Sequence, residues 1–214
     1  MPIIQFLLDF FLHIDKNLAV LIQNFGIFSY LLLFFVIFME TGFVVTPFLP
    51  GDSLLFAAGA LAAVGSFNLI LLYLLMVLAA FLGDTVNYWI GHQIGPKVFS
   101  PNFKFRRLFK LEYLHKAEAF YDKHGGKAII LARFVPIVRT FAPFIAGVSN
   151  MKYTKFISYN FIGGLVWVTL FVFGGYFFGQ LPLIKNNFHY SIVVIVLISI
   201  VPILLEVYKS KRHS

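Results

Sequence analysis

The chain has 214 residues, 60% of them hydrophobic and only 12% charged, with a mean hydropathy of +0.87, whereas soluble domains carry roughly 25% charged residues. A soluble globular protein is therefore excluded, and the length accommodates about four crossings of a roughly 30 Å hydrocarbon layer plus shorter embedded pieces. The absence of cysteine excludes a disulfide framework, a thiolate metal site and a cysteine nucleophile, and in such an apolar chain the net charge of +8 points to cytoplasmic loops and anionic lipid rather than nucleic acid.

The expectation is a single all-α polytopic membrane domain over 1–214, with no cleaved signal peptide because the apolar start lacks a basic flank. Ile3, Phe6, Leu7, Phe10 and Phe11 recur at helical spacing, which predicts an interfacial helix over 1–16. An uncharged run predicts a span over 18–39, ending at Glu40. Ser53 to Gly83 holds 31 uncharged residues, too many for one span, and the turn-forming Gly65, Ser66 and Asn68 divide it. The first part belongs to a dipping segment over 41–66, and the second is a span over 69–94 that carries Asp84 and that Gly95 and Pro96 should stop. Residues 97–127 carry eight Lys or Arg among periodic apolar positions and read as a cytoplasmic amphipathic segment on the membrane surface. A second dipping segment over 128–150, spans over 156–178 and 188–207, and a basic tail over 208–214 complete the chain.

Fourteen of the seventeen basic residues fall on one side if 41–66 and 128–150 each enter the membrane and return to the side they came from. Four full crossings then leave both termini cytoplasmic, and the two re-entrant hairpins are oppositely oriented. The first contains Glu40, Pro47, Pro50, Gly51 and Asp52; the second contains Arg133, Pro136, Arg139, Pro143 and Gly147. These prolines and glycines are expected to break the backbone, and irregular backbone at membrane depth is tolerated only where protein or a water-filled cavity satisfies the freed amides and carbonyls. Arg133 and Arg139 are separated by about 240° on an ideal helix, so a turn at Pro136 is needed to bring them together.

Charged groups inside a bilayer cost several kcal/mol and mark ion pairs, ion pathways or substrate sites. A bland alternative is a static lock in which Glu40 and Asp52 pair with Arg139 and Arg133. Glycine ladders follow each hairpin, Gly83, Gly91 and Gly95 in one span and Gly164, Gly175 and Gly179 in the other, with Asn87 and Trp167 in register; small residues at this spacing let helices approach closely. Gly91 and Gly95 precede Gly175 and Gly179 by 84 residues, and Pro47 precedes Pro136 by 89, which fits an inverted repeat of the transporter kind. Asp84, Tyr88 and His92 recur at four-residue steps, as either a proton relay or a packed polar cluster.

The stretch Glu-x-Gly-x-x-x-x-Pro-x-x-Pro-Gly-Asp from Glu40, with Arg-Phe-x-Pro-x-x-Arg-Thr-x-x-Pro-x-x-Ala-Gly from Arg133, resembles the bacterial DedA membrane proteins of the VTT-domain superfamily. The resemblance covers nearly the whole chain. It implies lipid movement across the membrane, notably the return of undecaprenyl phosphate to the cytoplasmic face for cell wall synthesis, coupled in some members to a proton or sodium gradient. The family's important acids fall on Glu40 and Asp52 and its important arginines on Arg133 and Arg139. The residues agree physically: guanidiniums fork onto a lipid phosphate, while Glu40, Asp52 and Asp84 are candidates to bind the coupling ion.

Three rivals stay open: an ion or small-solute transporter, a passive phospholipid scramblase, and a lipid phosphatase. The last would need paired histidines, and His13, His92, His115, His124, His189 and His213 are scattered outside the hairpins, so enzyme activity is not expected. No metal-ligand spacing, cofactor motif or nucleic-acid platform is recognised, and the choice between monomer and homodimer is open.

Overall fold

The computed structural model describes residues 26–43, 51–98, 119, 122–149 and 151–181. The interfacial helix 1–16, nearly all of the basic segment 97–127, the span 188–207 and the tail 208–214 lie outside these residues, as do Pro47 and Pro50. The described residues contain helices and turns and no strand. In chain order they are α1 (Ile27–Gly42), α2 (Gly51–Ala63), α3 (Leu69–Val98), a 3-10 turn (Gly125–Lys127), α4 (Ala128–Ala132), α5 (Pro136–Val148) and α6 (Tyr153–Gly179).

Two of these helices are long and apolar enough to cross a membrane: Leu69–Ile94 within α3, with mean hydropathy 2.3, and α6, with mean hydropathy 1.9. At 1.5 Å per residue each measures about 40 Å. Leu71, Leu74, Leu78 and Leu82 on α3, and Phe161, Leu165 and Leu170 on α6, are exposed, as lipid-facing side chains should be. The helix does not stop at Gly95 and Pro96, because α3 runs on to Val98; a proline in a last turn removes one backbone donor, which need not end the helix.

The helices sort into two compact units. The first comprises the described residues within Met1–Leu33, Pro50–Tyr73 and Phe171–Ser214. In it α2 spans Gly51–Ala63, and the residues just ahead of Gly51 lie outside those described. The expected division of the long apolar run is present: Gly65 adopts φ +83°, its N–H reaches the Ala62 carbonyl, and the Ser66 N–H reaches Leu61. Those two bonds close α2 as a Schellman motif. Asn68 then caps α3 by accepting from the Leu71 N–H at 3.0 Å. Gly175 meets the backbone of Phe56, and Gly59 meets that of Val172, so the small residues of α2 and the end of α6 do allow close helix approach.

The second unit comprises the described residues within Phe34–Leu49 and Leu74–Leu170. Its core is built from Tyr88, Ile129, Ala132, Val138, Phe141, Phe144, Ile145, Met151 and Phe156. Between α4 and α5 the chain winds through a tight turn, with Arg133, Phe134 and Val135 each donating to the carbonyl three residues back. Val135 is extended (φ −115°, ψ 105°) and Pro136 opens α5, the conformations that proline favours before itself and at a helix start. The backbone therefore breaks ahead of Pro136. It does not break at Pro143 or Gly147, both of which lie inside continuous α5. Pro143 sits in the helix interior at the cost of one backbone bond, and Gly147 is a packing position.

A Cβ at Gly147 would collide with the Tyr88 carbonyl and lie 2.7 Å from the His92 nitrogen, and one at Gly91 would collide with the Phe144 backbone. Because these obstacles are backbone atoms, no side-chain rotation relieves them. Gly147→Ala is expected to destabilise the protein by about 1–3 kcal/mol, read as a lower melting temperature in detergent; an unchanged melting temperature would show that α3 and α5 do not pack this closely.

Candidate functional site

The second unit gathers charged residues from four elements. Glu40 is in the last turn of α1, Asp84 in the middle of α3, Arg133 in the turn after α4, and Arg139 near the start of α5. Arg133 and Asp84, each 5% exposed at the side chain, form an ion pair. Arg139 pairs with Glu40, whose side chain is fully buried. Charges withdrawn from water in this way are tolerable only when paired.

The turn at Phe134 and Val135 removes the helical separation of the two arginines, and both guanidiniums come to the Trp167 ring. The Arg133 and Arg139 guanidinium carbons lie 5.8 and 5.5 Å from its centroid, inside the range of a cation–π contact. Trp167 is 1% exposed. Thr41, Asp84, Arg133, Arg139, Thr140 and Trp167 line a small cavity with room for about one water molecule.

Two buried amides brace the site. Asn160 accepts from the Arg133 guanidinium at 2.6 Å and donates to the Phe81 carbonyl at 3.1 Å. Asn87 donates to the Thr41 carbonyl at 3.0 Å and the Thr140 carbonyl at 2.7 Å. Thr41 follows Glu40 and Thr140 follows Arg139, so a single carboxamide ties the backbones on both sides of that ion pair. The Arg133 Nε is buried with no hydrogen-bond partner among the described residues, leaving one unused donor on the guanidinium.

The Glu40–Arg139 pair is the one read from the sequence, whereas the partner of Arg133 differs from it. Arg133 takes Asp84, and Asp52 lies in the first unit, in the opening turn of α2. Asp84, Tyr88 and His92 do share a face of α3, but Asp84 is engaged by Arg133, and the Tyr88 hydroxyl donates to the Met151 carbonyl at 2.5 Å. The Tyr88 ring stacks on that of His92 with centroids 6.2 Å apart. Gly164, expected to serve helix–helix contact, instead faces the Arg133 side chain. Sequence reasoning did not reach Asn160, Thr41, Thr140 and the role of Trp167. The available signal is Asn160, a carboxamide within a mostly apolar span, where such side chains form hydrogen bonds across helices. No group of three or more metal-ligating His, Asp or Glu side chains occurs among the described residues.

Residues 49–177 match the VTT domain. Protein DedA of Escherichia coli is 54% identical over 217 residues, covering 100% of this chain and 98% of its own length. The chain belongs to the DedA family. An uncharacterized membrane protein of Mycobacterium tuberculosis is 41% identical over 84% of this chain and 80% of its own length. The inner membrane protein YqjA of Escherichia coli is 36% identical over 72% and 69% respectively. No solved structure matches significantly. With these relatives and its apolar helices, the DedA-family chain is an integral membrane protein, and both ion pairs of its buried cluster draw on residues of the two family-like motifs, with Asp84 added from α3.

Proposed function

We propose that this DedA-family protein is a transporter of lipid phosphates, with undecaprenyl phosphate as its cargo, working in the bacterial cytoplasmic membrane with both termini on the cytoplasmic side. The observation that carries the reading is the convergence of two guanidiniums, one buried and one nearly so, from separate elements on one tryptophan and one cavity. Two guanidiniums offer forked donors matched to a phosphate, and the unpaired Arg133 Nε adds another. Glu40 and Asp84 hold the arginines in the absence of cargo, and they or Asp52 exchange the coupling proton or sodium ion. In this reading 41–66 and 128–150 are opposed re-entrant hairpins among four spans, and the chain performs no covalent chemistry on its lipid.

One observation favours a small ion or solute as cargo instead: the cavity has room for about one water molecule, so a phosphate group enters only if the site opens. Liposomes carrying the purified protein and a fluorescent undecaprenyl phosphate separate the two. Leaflet exchange of the phosphate lipid, absent for the neutral polyprenol and responsive to a pH gradient, is expected. Arg139→Lys should keep the charge but lose the fork, lowering exchange about tenfold, and Arg133→Ala should abolish it. Exchange that persists undiminished in both variants would remove the arginines from cargo binding, and no exchange by the parent under any gradient would favour the small-solute reading.

A further inference from the structure

We propose that one face of α6, formed by Asn160, Gly163, Gly164 and Trp167, is a seat that positions the two arginines, with Trp167 the positioning residue they share; the inference deepens the lipid-phosphate reading and rests on it.

These four residues fall at i, i+3, i+4 and i+7, the spacing of a single helical stripe. Each contributes something different to the same side chains. Asn160, fully buried, accepts a hydrogen bond from Arg133 at 2.6 Å. At Gly163 an added Cβ would lie 3.1 Å from the Arg133 Cδ and Nε, and at Gly164 it would lie 3.4 Å from Nη2. The two glycines thus form a trough along which the arginine stem and head lie. Trp167 closes the stripe with an aromatic face that both guanidiniums approach.

Two guanidiniums sharing one buried cavity repel each other. The carboxylates of Asp84 and Glu40 offset that repulsion while they are engaged, and a bound phosphate would do so in turn, but between the departure of one anion and the arrival of the other the repulsion is uncompensated. A tryptophan ring attracts cations without competing for N–H donors, so it can hold both guanidiniums close together through an exchange of anions. Trp167 therefore sets the spacing at which the pair meets a phosphate. It does not need to touch the cargo.

Trp167 and Trp89 are the two tryptophans of the chain, and Trp89 is 43% exposed among Tyr88, His92 and Tyr153, none of which lines the cavity. Trp89→Phe leaves Trp167 as the sole indole reporter. In that background, Arg139→Ala is expected to shift Trp167 emission and increase its quenching by acrylamide; an unchanged spectrum and quenching would overturn the seat without reference to any cargo. In exchange assays with a polyprenyl phosphate, Trp167→Leu is expected to raise the apparent KM about tenfold, and Trp167→Phe, which keeps an aromatic face, about threefold, with kcat changing less than about twofold. Parent-like KM in Trp167→Leu, alongside inactive arginine variants, would overturn the proposal and leave the transport reading standing. If the parent neither binds nor moves the phosphate lipid, the transport reading fails and the emission measurement alone decides the seat. Should Trp167→Leu not fold, Trp167→Phe and the emission shift decide it.

Discussion

Glu40→Gln is expected to bind a polyprenyl phosphate about tenfold more tightly than the parent while exchanging it between leaflets at least about tenfold more slowly. In the closed site the Glu40 carboxylate occupies the Arg139 guanidinium, so an incoming phosphate must displace it. Gln has the same shape and cannot hold the guanidinium with a full charge, which lowers the cost of displacement and raises apparent affinity. Release then suffers, because a carboxylate is no longer there to reclaim the arginine and eject the anion. Binding is read by titration of the purified protein with the phosphate lipid, and exchange by the liposome assay. A static lock makes the opposite forecast: weaker folding, with no gain in phosphate affinity. Tighter binding in Glu40→Gln would thus separate a working site from a brace.

The double variant Asp84→Leu with Arg133→Met is expected to regain most of the stability that either single change removes, and to transport nothing. Removing one partner of a buried pair leaves an uncompensated charge and costs about 3–5 kcal/mol, whereas replacing both with apolar side chains is often neutral or stabilising. Here the single variants also disturb Asn160, which shares the Arg133 guanidinium with Asp84. Melting temperatures of the two single variants and the double variant, measured in one detergent, complete the cycle. If the double variant is both stable and active, the pair is dispensable for transport and the arginine assignment falls. If it is as unstable as the single variants, the pair contributes to folding in a way that apolar packing cannot replace.

The parts of the site legible in the sequence are those where a residue type is costly in its surroundings. Charged side chains among apolar runs stand out, and Pro136 and the turn-prone residues from Gly65 to Asn68 locate real interruptions. Pro143 misled because a proline removes only one backbone bond, and helix packing around α5 tolerates that loss. The partner of Arg133 was misassigned for a different reason. Two acids, Asp52 and Asp84, stood in plausible segments, and nothing in their spacing from residue 133 distinguishes them; the choice is made in three dimensions. Asn87 and Asn160 act on carbonyls and a guanidinium 27 to 79 positions away, a relation with no periodic trace. The same holds for Trp167, whose indole reads as ordinary lipid-facing or packing material until two guanidiniums are found on its face.

If the protein carries a lipid phosphate as proposed, the Asn87 carboxamide would set its tempo. A phosphate group is larger than the space beside Trp167, and one way to admit it is for the last turn of α1 at Thr41 and the α5 turn carrying Thr140 to part. One amide group grips both carbonyls through its two N–H donors, so parting the two segments costs at least one of these buried bonds. Opening would then be a displacement of helix segments on the microsecond-to-millisecond scale, far slower than a rotamer flip. At saturating cargo the turnover ceiling would be the rate at which that latch springs, independent of how fast a lipid diffuses to it.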